Sequence, residues 1–478
     1  MKVECLEEPE LEFGAGRHID IRFGLMHHGP LDLESAVAPR RINVGIVGST
    51  ETVEGLAAWL EKCRDGIPAK ASNQPNLFPA FPGFRADNAL KTTFILDSRT
   101  QRPLSKRDLV TVEALGASPV GIQKSVELFL NEISALAERR TADVILCALP
   151  MSLIKQHGEA SGVGENDIRS AEPPLDFHHL LKAQSMRVGV PIQLVLPMTY
   201  DESKRLPQKL KSFRLRTSQD EATRAWNFHV AMYYKSGGIP WRLPRAATAL
   251  TACHVGISFY ESLDRARLLT SVAQVFNERG EGTIVRGGAA KVSKDDRQPH
   301  LDREDANSIL FNALNVYKGE HRTMPARLVV HKSSLYSDEE VLGFQTAADE
   351  MRIDALELLT LGASSTRLFR EGLYPPLRGT MMTLDASEHL LYTRGSVDFF
   401  QTYPGMYAPQ MLGIHIRQAQ ETPAFLANEI LGLTKMNWNN TQFDGFEPIT
   451  LHAARQVGKI LKYVPLSDPI KESYAFYM

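Results

Sequence analysis

The sequence predicts an α/β protein of two domains, and three observations carry that expectation. Over residues 41–235, strand-like runs alternate with amphipathic helical stretches, the order of a parallel sheet covered by helices. From residue 250 onward, three strand-like runs follow one another before helices resume, so a second sheet begins antiparallel. The chain of 478 residues is 43% hydrophobic and 23% charged, enough for two apolar cores and ordinary for a globular protein.

Residues 1–40 read as an N-terminal arm, extended through "RHIDIRFGLM" and followed by a polar linker with Pro30 and Pro39. The first domain, 41–245, opens with a buried strand, "RINVGIVGST", and an amphipathic helix, "ETVEGLAAWLEKCRDG". Further strands are expected at 92–98, 142–150 and 190–200. Helical stretches "SVELFLNEISALAERR" and "DFHHLLKAQSM" precede the last two. Residues 155–175 are polar and Gly-rich, and read as a loop. A helix over "SQDEATRAWNFHVAMYYKSGG" has Ser218 as N-cap with Glu221 at N3, and Gly237–Gly238 stop it. The turn "GIVGST" lacks the spacing and lysine of a phosphate loop, and no G-x-G-x-x-G is present. It reads as an ordinary strand-to-helix turn.

The second domain, 246–478, begins with strands at 252–260, 267–276 and 282–292. In the first, Val255, Ile257 and Phe259 alternate with Gly256 and Ser258. A helix from near Asp302, the strand "ARLVVHKSS", a helix capped by Ser337 and Glu340, and the strand "DALELLTL" follow. That succession is ribonuclease H-like.

A net charge of −2 gives no global attraction to nucleic acid. Local charge is another matter. "KRLPQKLKSFRLR" sets Lys204, Arg205, Lys209, Lys211, Arg214 and Arg216 together without an acid. The run reads either as a solvated face or as a contact to a phosphate backbone. On the final helix, Arg455, Lys459 and Lys462 share one face. The four cysteines are scattered, without zinc or disulfide spacing. The acidic N-terminus has no signal-peptide pattern, and no apolar run approaches the roughly 20 residues of a membrane span. A cytoplasmic, non-membrane protein is expected.

The segment "LTKMNWNNTQFDGFEPITLHAAR", residues 433–455, resembles the C-terminal part of the PIWI domain of Argonaute proteins. "HVGISFY" looks like the first PIWI strand, and "ARLVVHKSS" like the strand that ends in a His-Arg/Lys-Asp turn. "QDEATRAWNFHVAMYYKSGGIPWRL" resembles the junction between MID and PIWI domains. The resemblance implies a Rossmann-like MID domain followed by a ribonuclease H-like PIWI domain, with no N or PAZ domain: a short prokaryotic Argonaute.

Several expectations follow from that resemblance. Cleaving members carry metal-binding aspartates where this chain has Ser258 and Ser333. A hydroxyl carries no charge to hold Mg²⁺, so a PIWI domain that does not cut is expected. The guide 5′-phosphate is expected at Tyr200, Lys204, Gln219 and Lys235, with Arg455 reaching the same pocket. Lys209, Lys211, Arg214, Lys459 and Lys462 would contact the nucleic-acid backbone. A structural Mg²⁺ is expected at the phosphate, held by the Met478 carboxylate with Gln219 as a second candidate. The implied partners are a guide RNA, a single-stranded DNA target and an APAZ-containing effector, Sir2-APAZ first and TIR-APAZ second. Such effectors degrade NAD in defence against plasmids and phages. The alternatives are a guide-directed nuclease with a non-standard metal site, an Argonaute paired with a nuclease-APAZ effector, and an α/β metabolic enzyme. For the last, no acid/base constellation is found.

Overall fold

The computed structural model describes residues 1–161, 175–205, 219–244, 250–275, 282–372, 375–405, 408–443 and 445–478. They form two units. A mixed-sheet unit takes Met1–Leu31, Trp241–Lys462 and Ile470–Tyr474, and a parallel-sheet unit takes Asp32–Pro240, Tyr463–Pro469 and Ala475–Met478. The chain therefore passes between units several times, whereas the sequence pointed to two cuts, at 40/41 and 245/246.

The N-terminal arm needs correction, because it is folded. It contains β1 (Lys2–Cys5), β2 (Leu11–Glu12), β3 (Arg17–His18) and α1 (Ile21–His28). Within "RHIDIRFGLM" only two residues are strand. The Asp20 carboxylate accepts hydrogen bonds from the Arg22 and Phe23 amides at 2.9 and 3.0 Å and starts a helix. That cap overrides the strand preference of Ile21.

The parallel-sheet unit follows with β4 (Arg41–Gly48), α2 (Thr50–Asp65), β5 (Thr93–Pro103), α3 (Lys106–Ala114) and α4 (Pro119–Glu138). Then come β6 (Val144–Ala148), α5 (Met151–Ser161), α6 (Phe177–Ser185), β7 (Ile192–Val195), α7 (Pro197–Tyr200) and α8 (Glu221–Lys235). The strands are parallel, in the order β5-β4-β6-β7. The strand expected over 190–200 is shorter, because Pro197 opens the one-turn α7. The cap of α8 is Asp220, whose carboxylate accepts from the Thr223 amide at 3.1 Å. Ser218, the expected cap, lies outside the described residues. So does most of the expected 155–175 loop, of which α5 takes the start. Val47, Phe129, Ile145 and Leu181 are among the residues of the core beneath α4 and α6.

The mixed-sheet unit resumes with β8 (Ala252–Glu261), β9 (Leu268–Val275), β10 (Gly282–Val292), β11 (Pro299–His300), α9 (Arg303–His321), β12 (Arg327–Lys332) and α10 (Asp338–Glu350). It ends with β13 (Ala355–Ala363), β14 (Thr380–Thr383), β15 (Glu388–Leu391), β16 (Leu412–Gln418), α11 (Pro423–Leu433) and α12 (Ile449–Leu461). Ten of its described strands form one sheet in the order β1-β14-β15-β16-β13-β12-β8-β9-β10-β11, and β2 pairs with β3 in a second. β8, β9 and β10 pair antiparallel, and β12 and β13 run parallel to β8, the ribonuclease H-like order. The Ser337–Glu340 capping box is present.

Helices α9 and α10 cover one face of that sheet over Val255, Ile257, Leu328 and Val330. On the other face α12 approaches so closely that a Cβ at Gly256 would collide with the Thr450 backbone. The "LTK" motif proves to be a fastening. Lys435 and Arg378 both bond Glu8, at 3.1 and 2.9 Å, and the Trp241 indole donates to the Lys435 carbonyl at 3.0 Å. Among the described residues, no helix is long and apolar enough to cross a membrane.

Candidate nucleic-acid interface

In the parallel-sheet unit, chain order reverses between β5 and β6 on either side of β4. In open α/β sheets, ligands settle outside the carboxyl ends of the strands at such a switch point. A pocket of about 540 Å³ lies there, lined by Ser49, Glu51, Gly55, Pro150, Tyr200 and Lys204, among others. Ser49 follows β4 and caps α2, accepting from the Thr52 amide, so the amide-rich start of α2 faces the pocket. Tyr200 ends α7 and lies against α2 at Gly55, where a Cβ would stand 3.0 Å from the ring. Its hydroxyl is buried with no hydrogen-bond partner among the described residues. Burial, reinforced by Glu51 and Asp201, raises its pKa.

Lys204 Nζ donates to Glu51 Oε1 at 2.9 Å, and that bond raises its pKa. The carboxylate occupies the position an anion would take on this lysine. Arg224, which the sequence reading missed, fixes the segment that carries both residues. Its guanidinium donates to the Thr199 carbonyl at 2.9 Å, to Glu202 at 3.0 Å and to the Gln219 carbonyl. Gln219 accepts a bond from Asn227 at 3.2 Å. Lys209, Lys211 and Arg214 lie outside the described residues.

Lys235 does not join this group. It ends α8, and its Nζ donates to the main-chain oxygens of Ile192, Ala475 and Met478 at 3.1, 3.0 and 2.9 Å. Ile192 opens β7, whereas Tyr200 lies beyond its other end, so the expected four-residue cluster divides in two. All three ammonium protons are engaged. A second lysine unseen in the sequence, Lys182 of α6, is 2% exposed and donates to the Tyr477 carbonyl at 3.2 Å. Burial brings its pKa down to about 7. Burial, with Lys182 close by, also lowers Lys235 well below the ordinary lysine range.

Around Met478, the position expected for a magnesium, hydrogen bonds join main-chain oxygens to Lys182 and Lys235. Hard divalent cations need several oxygen ligands, carboxylates foremost. Among the described residues, the side chains that act on Lys182 and Lys235 are Cys147 and, for Lys235, Lys182, with no side-chain carboxylate.

In the mixed-sheet unit the two serines come together. β8 and β12 are in parallel register up to Ile257 and Lys332, and the Ser333 amide bonds the Ile257 carbonyl at 3.2 Å. Ser258 and Ser333 are therefore neighbours at the carboxyl ends of adjacent strands. Alternation puts both on the α12 face, away from Ile257 and Val330. Ser258 is 3% exposed. Its carbonyl accepts a bond from the Ser271 hydroxyl at 3.3 Å. Lys332 points to the other face, wholly buried, and bonds Glu340 at 2.6 Å. His300 bridges Glu340 and Asp296 at 3.0 and 2.8 Å. On α12, Arg455 is held by Glu447 within this unit. Lys459 and Lys462 share its stripe, and Lys459 bonds Gln456 at 3.4 Å.

A parallel-sheet domain with a switch-point pocket, joined to a ribonuclease H-like mixed sheet, is the MID–PIWI architecture of Argonaute proteins. No protein-family model matches the sequence, and no curated protein does. Solved structures do match. Clostridium butyricum Argonaute, bound to a guide DNA and a 19-mer target DNA, is 14% identical with a TM-score of 0.65, over 98% of this chain and 53% of that one. Drosophila Piwi is 12% identical with a TM-score of 0.60, over 99% of this chain and 56% of that one. Aa-Ago with externally bound siRNA is 15% identical with a TM-score of 0.60, over the same shares, 99% and 56%. At these identities the likeness is one of fold, and the chain spans about half the length of each.

Proposed function

We propose that this protein is a guide-dependent nucleic-acid sensor that binds without cutting. The observation that carries the reading is the side-by-side pair Ser258 and Ser333, neutral hydroxyls at the strand ends where a ribonuclease H-like fold needs carboxylates to hold two metal ions. The switch-point pocket takes the 5′ end of the guide, with Lys204 on the phosphate and Tyr200 beside the first base. The α12 stripe of Arg455, Lys459 and Lys462 meets the backbone of the guide–target duplex.

The guide is an RNA and the target a single-stranded DNA. The output belongs to a second protein, an APAZ-containing effector of the Sir2 type before the TIR type, whose NAD-degrading activity target recognition releases. These finer assignments rest on the resemblance at residues 433–455. Purification from native cells tests them together. Short 5′-phosphorylated RNAs and a stoichiometric second protein are expected, and a nucleic-acid-free monomer contradicts the reading.

A further inference from the structure

The segment after β13 leaves the mixed sheet at the same end as Ser258 and Ser333, because β13 runs parallel to β12 and β8. It is fixed at both ends of a short span. Ser364 exchanges bonds with residues before β16: its amide with the Met411 carbonyl at 2.9 Å and its carbonyl with the Gln410 side chain at 3.0 Å. Leu368 packs on the cluster of Met382, Leu390, Tyr392 and Met411, and its amide bonds the Tyr392 hydroxyl at 2.8 Å. The next residue, Phe369, is 82% exposed. A ring whose chain neighbours are anchored is offered to a partner at little further ordering cost. Arg367 and Arg370 flank the ring. Arg367 is exposed, and among the described residues it bonds the main-chain oxygens of Ser364 and Thr366, both at 2.9 Å. The one acid beside them is Glu371.

We propose that Phe369 is a base-stacking residue, receiving a nucleobase of the bound nucleic acid on its ring while Arg367 meets the adjoining phosphate. The inference rests on the nucleic-acid reading above. The occupant is a nucleobase rather than an apolar protein pocket because the exposed Arg367, two residues before the ring, bonds no acid among the described residues and is placed to meet a phosphate. Aromatic faces set among cations are how single strands are held without sequence preference.

Phe369→Trp and Phe369→Ala test it. The native tryptophans, Trp59, Trp226, Trp241 and Trp438, are all buried at 4% exposure or less, so the indole at 369 is read as the difference from wild-type emission. With 5′-phosphorylated RNA and complementary DNA as probes, Phe369→Trp keeps wild-type affinity and its emission is quenched on binding. Phe369→Ala binds about ten-fold more weakly, and Arg367→Gln lowers the salt slope by about one. Unquenched indole and unchanged Phe369→Ala affinity, with the wild type still binding, overturn this inference and leave the function standing. Quenching by a co-purified protein alone also overturns it. A wild type that binds neither probe fells both.

Discussion

Among the described residues, buried lysines are handled in opposite ways in the two units. In the mixed-sheet unit each is matched by a carboxylate, Lys332 by Glu340 and Lys435 by Glu8. In the parallel-sheet unit, Lys182 and Lys235 meet main-chain oxygens and each other's charge. Matched ions close a structure upon itself. Without a carboxylate beside it, a buried lysine is driven toward its neutral form. The contrast extends to the strand ends, where one unit presents Lys204 in a pocket and the other presents two hydroxyls.

The largest expected effect comes from changing the charge of the unmatched pair. The Lys182 pKa is lowered from 10.5 to about 7 by burial. Below about 7 both folded and unfolded chains carry that proton. Between about 7 and 10.5 the unfolded chain binds it and the folded chain does not, so stability rises with pH, by up to about 1.4 kcal/mol per unit. Lys235 contributes in the same direction. Denaturant melts across that window should show the rise, and Lys182→Met should flatten it; a slope unchanged by the substitution would remove the contrast.

Placing an unmatched charge in the other unit should do comparable harm. Ser258→Asp puts a carboxylate beneath α12 at a position 3% exposed, with an expected loss of about 3 kcal/mol. The measurement is a denaturant midpoint with and without Mg²⁺. Metal-dependent recovery would reveal a surviving metal site and sharpen the comparison against this account. The smallest effect is at the pocket. Lys204→Met should weaken 5′-phosphorylated guides about ten-fold relative to 5′-hydroxyl ones, because the phosphate bond is partly offset by release of Glu51. Titrations with the two guides decide it, and equal weakening would reduce Lys204 to a general backbone contact.

Much of the architecture was legible, because long alternating runs such as 252–260 fix both element type and face. The four-residue strands β14 and β15 are too short for periodicity to register. The α12 contact at Gly256 and the adjacency of Ser258 and Ser333 follow from strand order, which the motifs revealed. Lys182 was invisible: one lysine in "HHLLKAQ" looks like any side chain whose head reaches water. The tie between Lys435 and Glu8 joins residues 427 apart in sequence, so a motif that resembled a nucleic-acid signature has a structural role local reading cannot see. Spacing along α8 does not say which end of β7 the Lys235 head reaches.

The central claim is that this fold grips nucleic acid and has given up cutting it. The direct measurement loads the purified protein with a 5′-phosphorylated RNA guide, adds a labelled complementary DNA and supplies Mg²⁺ or Mn²⁺. The account predicts a bound, full-length target. A guide-dependent product cut at a single position would contradict it.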